Sequence, residues 1–134
     1  MVRGIATVLI LAGVLAGAAG AAWAPLGTGS GAASARSLPA GNVPSGGASL
    51  RNVTLNWTAS TFAGGTPVPA YVVRRFNALG GAESAVLTAC SGLVAATTCT
   101  ENNVPTGSWK YTITPAAGSW RGTQSAQSSS ILVI

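Results

Sequence analysis

The chain has 134 residues, a formal charge of +5, no histidine and no aspartate, and its only side-chain carboxylates are Glu83 and Glu101. Acid–base catalysis recruits His, Asp or Glu, and metal sites draw on His, Cys and carboxylates. This inventory therefore excludes a histidine-containing triad and predicts a non-enzymatic protein without cofactor or metal.

The opening residues have the layout of a secretory signal. Arg3 precedes an apolar run over 5–15, and small residues follow over 16–22. Residues 1–24 are thus expected to be a signal peptide or a membrane anchor helix. No charge interrupts residues 4–24, about the ~20 residues that a span needs. The second half of the run is mostly Ala and Gly, which drive insertion weakly, so cleavage is favoured over anchoring. Either way the remainder is expected to be extracytoplasmic, secreted or anchored to the outer face of the membrane. Any membrane contact would then run only through 1–24, if uncleaved. The heavy use of Ala and Gly, and of Arg over Lys, suggests a bacterial source. Residues 25–36 are mostly Gly, Ser and Ala with little to bury, and are expected to form a flexible linker.

The domain proper is expected over 37–134. A first edge strand is predicted over 38–43, bounded by Pro39 and Pro44, with Ser45, Gly46 and Gly47 turning into the next. Over 53–57, Val53, Leu55 and Trp57 alternate with Thr54 and Asn56, so a period of two puts the apolar three on one face of a strand. The β-branched and aromatic residues of 71–76 form a third strand. Further strands are expected over 83–90, 96–101, 108–114 and 130–134. In 108–114, Trp109, Tyr111 and Ile113 alternate with Lys110, Thr112 and Thr114. Seven short strands with turn residues between them predict an all-β, seven-stranded antiparallel β-sandwich behind the N-terminal hydrophobic helix.

The segments V-T-L-N-W-T (53–58), P-A-Y-V-V-R-R (69–75) and V-P-T-G-S-W-K-Y-T-I-T-P (104–115) resemble the second, third and sixth strands of a fibronectin type III (Ig-like) domain. That resemblance covers about 37–134. It implies Trp57 as the core tryptophan and a corner at Val104 and Pro105. Trp109 stands nearest the position of the family's corner tyrosine, with Tyr111 as an alternative. What the family implies is a binding or spacer module without catalytic residues.

Cys90 and Cys99 are the only cysteines. In an exported chain an even pair predicts a disulfide; the alternative, free or redox-active thiols, lacks a C-x-x-C spacing and nearby cations. The six arginines and one lysine are scattered rather than clustered, which argues against nucleic acid. If the family topology holds, the third and sixth strands are neighbours. Parity then turns Arg74 and Phe76 outward beside Lys110, a candidate ligand face for an unidentified protein or a cell-wall glycan. Trp120 and Arg121, in a Gly-bounded loop, are a candidate loop anchor; the plainer reading of Trp120 is a cap on the end of the sandwich. Asn52 and Asn56 each begin an N-glycosylation sequon, read as coincidence within a strand. The function expected is an extracytoplasmic binding or spacer module at the cell surface. The alternative is a subunit of a surface appendage or export complex that assembles through strand edges.

Overall fold

The computed structural model describes Arg36–Ile134. The leader (1–24) and all of the linker except Arg36 lie outside the described residues. Arg36 itself stands over the Phe62 ring, 5.8 Å from its centroid.

The described residues are all-β apart from one 3-10 turn. Nine strand segments run in chain order: β1 (Ser45–Ser49), β2 (Asn52–Asn56), β3 (Ala70–Asn77), β4 (Glu83–Ser84), β5 (Leu93–Val94), β6 (Thr98–Glu101), β7 (Gly107–Ala117), β8 (Trp120–Arg121) and β9 (Ile131–Val133). One sheet is ordered β1-β2-β6. In the other, β3 pairs with β7 over its whole length, so β4 and β5 share the free edge of β3, and β8 and β9 that of β7. The nine segments thus occupy seven strand positions, every pairing antiparallel, as in a two-sheet sandwich.

Alternation decides the core. Val53 and Leu55 on β2, Tyr71 and Val73 on β3, and Trp109, Tyr111 and Ile113 on β7 face one another between the sheets, all buried. Trp57, just past β2, meets Tyr71 edge-to-face with ring centroids 5.6 Å apart. The Tyr71 hydroxyl accepts the Ser60 backbone N–H at 2.9 Å, which pins the chain leaving β2.

Three sequence expectations need correction. The first strand is at Ser45–Ser49, not 38–43. Residues 38–43 instead run between the chain leaving β2 and the chain leaving β8, and their polar groups are divided between those two segments. Asn42 Nδ2 donates to Thr58 O, Ser60 Oγ to Ala40 O, and Gly41 N to Thr123 O, so no ladder forms. Gly46, expected in a turn, is in β1 opposite Leu55, where a Cβ would come within 2.3 Å of Thr54 O; only glycine lets the strands approach.

The expected strand over 83–90 shrinks to Glu83–Ser84, followed by a 3-10 turn at Thr88–Cys90. Its backbone groups are used elsewhere, since Arg75 takes Ala85 O and Glu101 takes Leu87 N.

The loop before the last strand is in part a tight hairpin, with Trp120 opposite Ala117. Between β8 and β9 the chain still follows β7 through two serines. Ser125 N donates to Ile113 O while Ser125 Oγ accepts from Ile113 N; Ser128 does the same with Tyr111. Three residues on one strand then span two on the other, and the hydroxyls stand in for the displaced carbonyls as at a bulge.

Cys90 and Cys99 form the expected disulfide, with Cα atoms 5.3 Å apart. It ties the 3-10 turn to β6. At the corner, Trp109 Nε1 donates to Pro105 O at 2.8 Å, a bond from a side chain to backbone a few residues upstream. That is the geometry of a tyrosine corner, made by an indole. Tyr111, the alternative for this role, is engaged elsewhere.

Candidate functional site

The outward face of the β3–β7 sheet is built from alternate residues. Val72, Arg74 and Phe76 on β3 stand opposite Thr114, Thr112 and Lys110 on β7. Phe76 and Lys110 are therefore direct cross-strand partners, and both are half-buried. Arg74 is exposed. Its Nε lies 3.7 Å from Glu83 Oε1, and its Nη1 lies 3.4 Å from Gln124 Oε1.

β3 and the 121–124 segment flank β7 on opposite sides, so the contact from Arg74 to Gln124 passes over β7. This explains why Thr112 and Thr114, outward by parity, are nonetheless buried at 0% and 7% exposure. Their hydroxyls have no hydrogen-bond partner among the described residues.

Arg121 and Trp120 belong to the hairpin, not to a free loop. Arg121 pairs with Ala116, and its Nη1 donates to Gly118 O and Trp120 O at 2.8 and 2.9 Å. It joins Val72, Arg74, Thr114, Gly122 and Gln124 around a concavity of about 180 Å³. The two groups of site residues expected separately, the Arg74 face and the Arg121 turn, are thus brought together. Phe76 and Lys110 lie on the same face but do not line that concavity. Trp120 is 75% exposed and does not cap the sandwich.

A second polar cluster escaped the sequence reading. Arg75 is 2% exposed and Glu101 0%, and Arg75 Nη1 meets Glu101 Oε2 at 2.9 Å. Glu101 Oε2 also accepts Leu87 N, and Glu101 Oε1 accepts the Tyr111 hydroxyl at 2.8 Å. Arg75 Nη2 donates to Ser84 Oγ and Ala85 O, and the guanidinium carbon lies 4.7 Å from the Trp109 ring centroid. Parity held the signal. Arg75 shares the inward set with Tyr71 and Val73, and Glu101 shares it with Cys99. In a chain with two carboxylates an inward arginine has few partners to choose from.

Burial first, and the hydrogen bond to Glu101 second, raise the Tyr111 phenol above its ordinary value of 10.0. The unfolded chain therefore loses this proton before the folded one does. The contribution is complete below about pH 10 and falls above it by about 1.4 kcal/mol per pH unit. Tyr111→Phe should remove that slope. Urea midpoints at about pH 9, 10 and 11 that fall equally in both proteins would contradict it.

The cluster consumes one of the two carboxylates in the core. Glu83 is left as the sole side-chain carboxylate to balance five described cations: Arg36, Arg51, Arg74, Lys110 and Arg121. The surface is consequently cationic, and a concavity with two arginines is where that excess is most local.

Comparison with known proteins bears on the fold. No family model matches the chain, and no curated protein matches it. Among solved structures, it is similar to titin kinase with its flanking domains (TM-score 0.55, 19% identity over 72% of this chain). It is also similar to the twitchin kinase region from C. elegans (0.59, 18%, 72%). A third is an Fn3-like protein from Clostridium thermocellum (0.52, 21%, 75%). The chain spans 17% of each of the two kinase-containing chains and 96% of the clostridial one. These likenesses show the fold: residues Arg36–Ile134 form a fibronectin type III-like, all-β sandwich. The Cys90–Cys99 disulfide is compatible with an extracellular setting.

Proposed function

We propose that the chain is a non-enzymatic binding or spacer module of a bacterial cell surface, secreted or tethered through its leader. Its outward β3–β7 face engages an anionic partner, a protein or a cell-wall glycan. The observation that carries this reading is the concentration of Arg74, Arg121 and Lys110 on one sheet face with a single opposing carboxylate. A cationic face on a rigid sandwich attracts anionic partners and sets the association rate more than the affinity. Phe76 beside Lys110 adds an apolar element to that face. Three cations on one face are fewer than the dense Lys/Arg clustering of a nucleic-acid footprint.

A second reading rests on β9. Leu132 is 63% and Ile134 74% exposed at a sheet edge, which suits pairing with a neighbouring subunit by strand addition. Gel filtration separates the two, since a strand-pairing subunit elutes larger than a monomer.

Charge reversal tests the first reading. The double variant Arg74→Glu with Lys110→Glu should reduce sedimentation with isolated cell walls by about tenfold or more, and the parent's binding should weaken as salt rises. Undiminished sedimentation of the double variant would retire the face.

A further inference from the structure

We propose that the concavity bounded by Arg74, Arg121, Gln124 and Thr114 is a seat for one oxyanion group, a carboxylate or a phosphate, carried by the partner of this face. The inference rests on the face being a binding surface, and names the chemistry it reads.

Three observations converge. First, Arg121 is held in place without a counter-ion. Its Nη1 is fixed by two carbonyls of its own hairpin, Gly118 O and Trp120 O, and no carboxylate lies against it among the described residues. Its guanidinium fork is thus pre-positioned, which lowers the ordering cost of binding.

Second, Arg74 reaches the same concavity from β3, held only by long contacts: 3.7 Å to Glu83 and 3.4 Å to Gln124. Two like charges on one small concavity repel. An oxyanion between them turns that repulsion into two charge-assisted, bidentate-capable contacts.

Third, Thr114 lines the concavity at 7% exposure, with a hydroxyl that finds no partner among the described residues. A buried hydroxyl without a partner is costly; this one is closed to water, so an acceptor oxygen reaches and satisfies it only as the long Arg74–Gln124 contact above it opens.

The volume of about 180 Å³ equals roughly six waters. That admits an oxyanion and the atoms that bear it, not a whole oligosaccharide. Phe76 and Lys110, on the same face outside the lining, are left to contact the rest of the partner.

The test is an amide NMR titration of the full chain with sodium phosphate, sodium glucuronate and, as the neutral control, glucose. Saturable shifts centred on Thr114, Gly122 and Gln124 are expected with one or both anions and not with glucose. Preference for phosphate would indicate a phosphate polymer, and preference for glucuronate an acidic sugar; both support the seat. Arg121→Gln should weaken the anion by about tenfold. Thr114→Val, which keeps the side-chain shape, should weaken it by about two- to threefold, and Arg51→Gln, at a cation outside the concavity, should leave it nearly unchanged. Shifts that never saturate, or that Arg121→Gln leaves intact, overturn the proposal. If no anion saturates while the Arg74/Lys110 charge reversal still abolishes wall sedimentation, the seat is refuted and the face stands.

Discussion

Glu101→Gln should destabilise the domain by about 3–5 kcal/mol, the range for breaking a buried ion pair by removing one partner. A domain of this size has about 5–15 kcal/mol in total, so the variant would be near the edge of folding. The loss has a specific origin. Arg75 would keep a buried charge with no counter-charge, and one carboxamide oxygen would have to serve Arg75 Nη1 and Leu87 N, leaving an amide N–H₂ toward the Tyr111 hydroxyl. Replacing both charged residues, as Arg75→Met with Glu101→Leu, should cost less than the single change, because the uncompensated charge is gone. Urea unfolding of the parent, the single and the double variants measures this. A single variant within about 1 kcal/mol of the parent would show that the pair does not hold the sheets together.

The second large effect is expected from the disulfide. Removing it as Cys90→Ala with Cys99→Ala, or by reduction, should cost roughly 2–3 kcal/mol from the unfolded-chain entropy of so short a loop. That corresponds to a fall in Tm of roughly 10–20 °C. There is also a local consequence. Thr88 Oγ1 donates to Thr100 O and accepts from Asn102 N, so the 3-10 turn lies along the β6 edge that β2 leaves unpaired. Freed from Cys99, this cover should open, and amide exchange at Asn102 should accelerate ahead of global unfolding. Identical melting with and without reductant would contradict the prediction. Alkylation should label both cysteines only after reduction.

Much of the fold was legible because the relevant signal is local. A period of two is a property of consecutive residues. It placed Val53 and Leu55, Tyr71 and Val73, and Trp109, Tyr111 and Ile113 in the core. The disulfide was legible for a similar reason, as two cysteines flanking one turn have few other ways to pair. The same parity contained the Arg75–Glu101 pair, yet a rule that sends charge outward hid it.

What could not be read depended on a neighbour distant in sequence. Ser45–Ser49 is a poor strand former by composition, and becomes one because Gly46 lets the backbone approach Thr54 O. Residues 85–90 look extended, but the Arg75–Glu101 pair draws Ala85 O and Leu87 N away from any ladder. Trp109 completes the corner because Pro105 O lies within reach of an indole N–H.

The candidate site divides along the same line. The sequence by itself determined that the chain is short of carboxylates, that its strands alternate, and that Arg74 and Lys110 each turn outward on their own strands. Those are matters of composition and parity. Tertiary structure decided which cations share a concavity, since only the β8 hairpin folding back on β7 brings Arg121 to Arg74. It also decided that Thr112 and Thr114 are roofed over, and that one of the two glutamates is spent in the core. Pairing across strands is set by the closure of loops, and no local pattern carries that information.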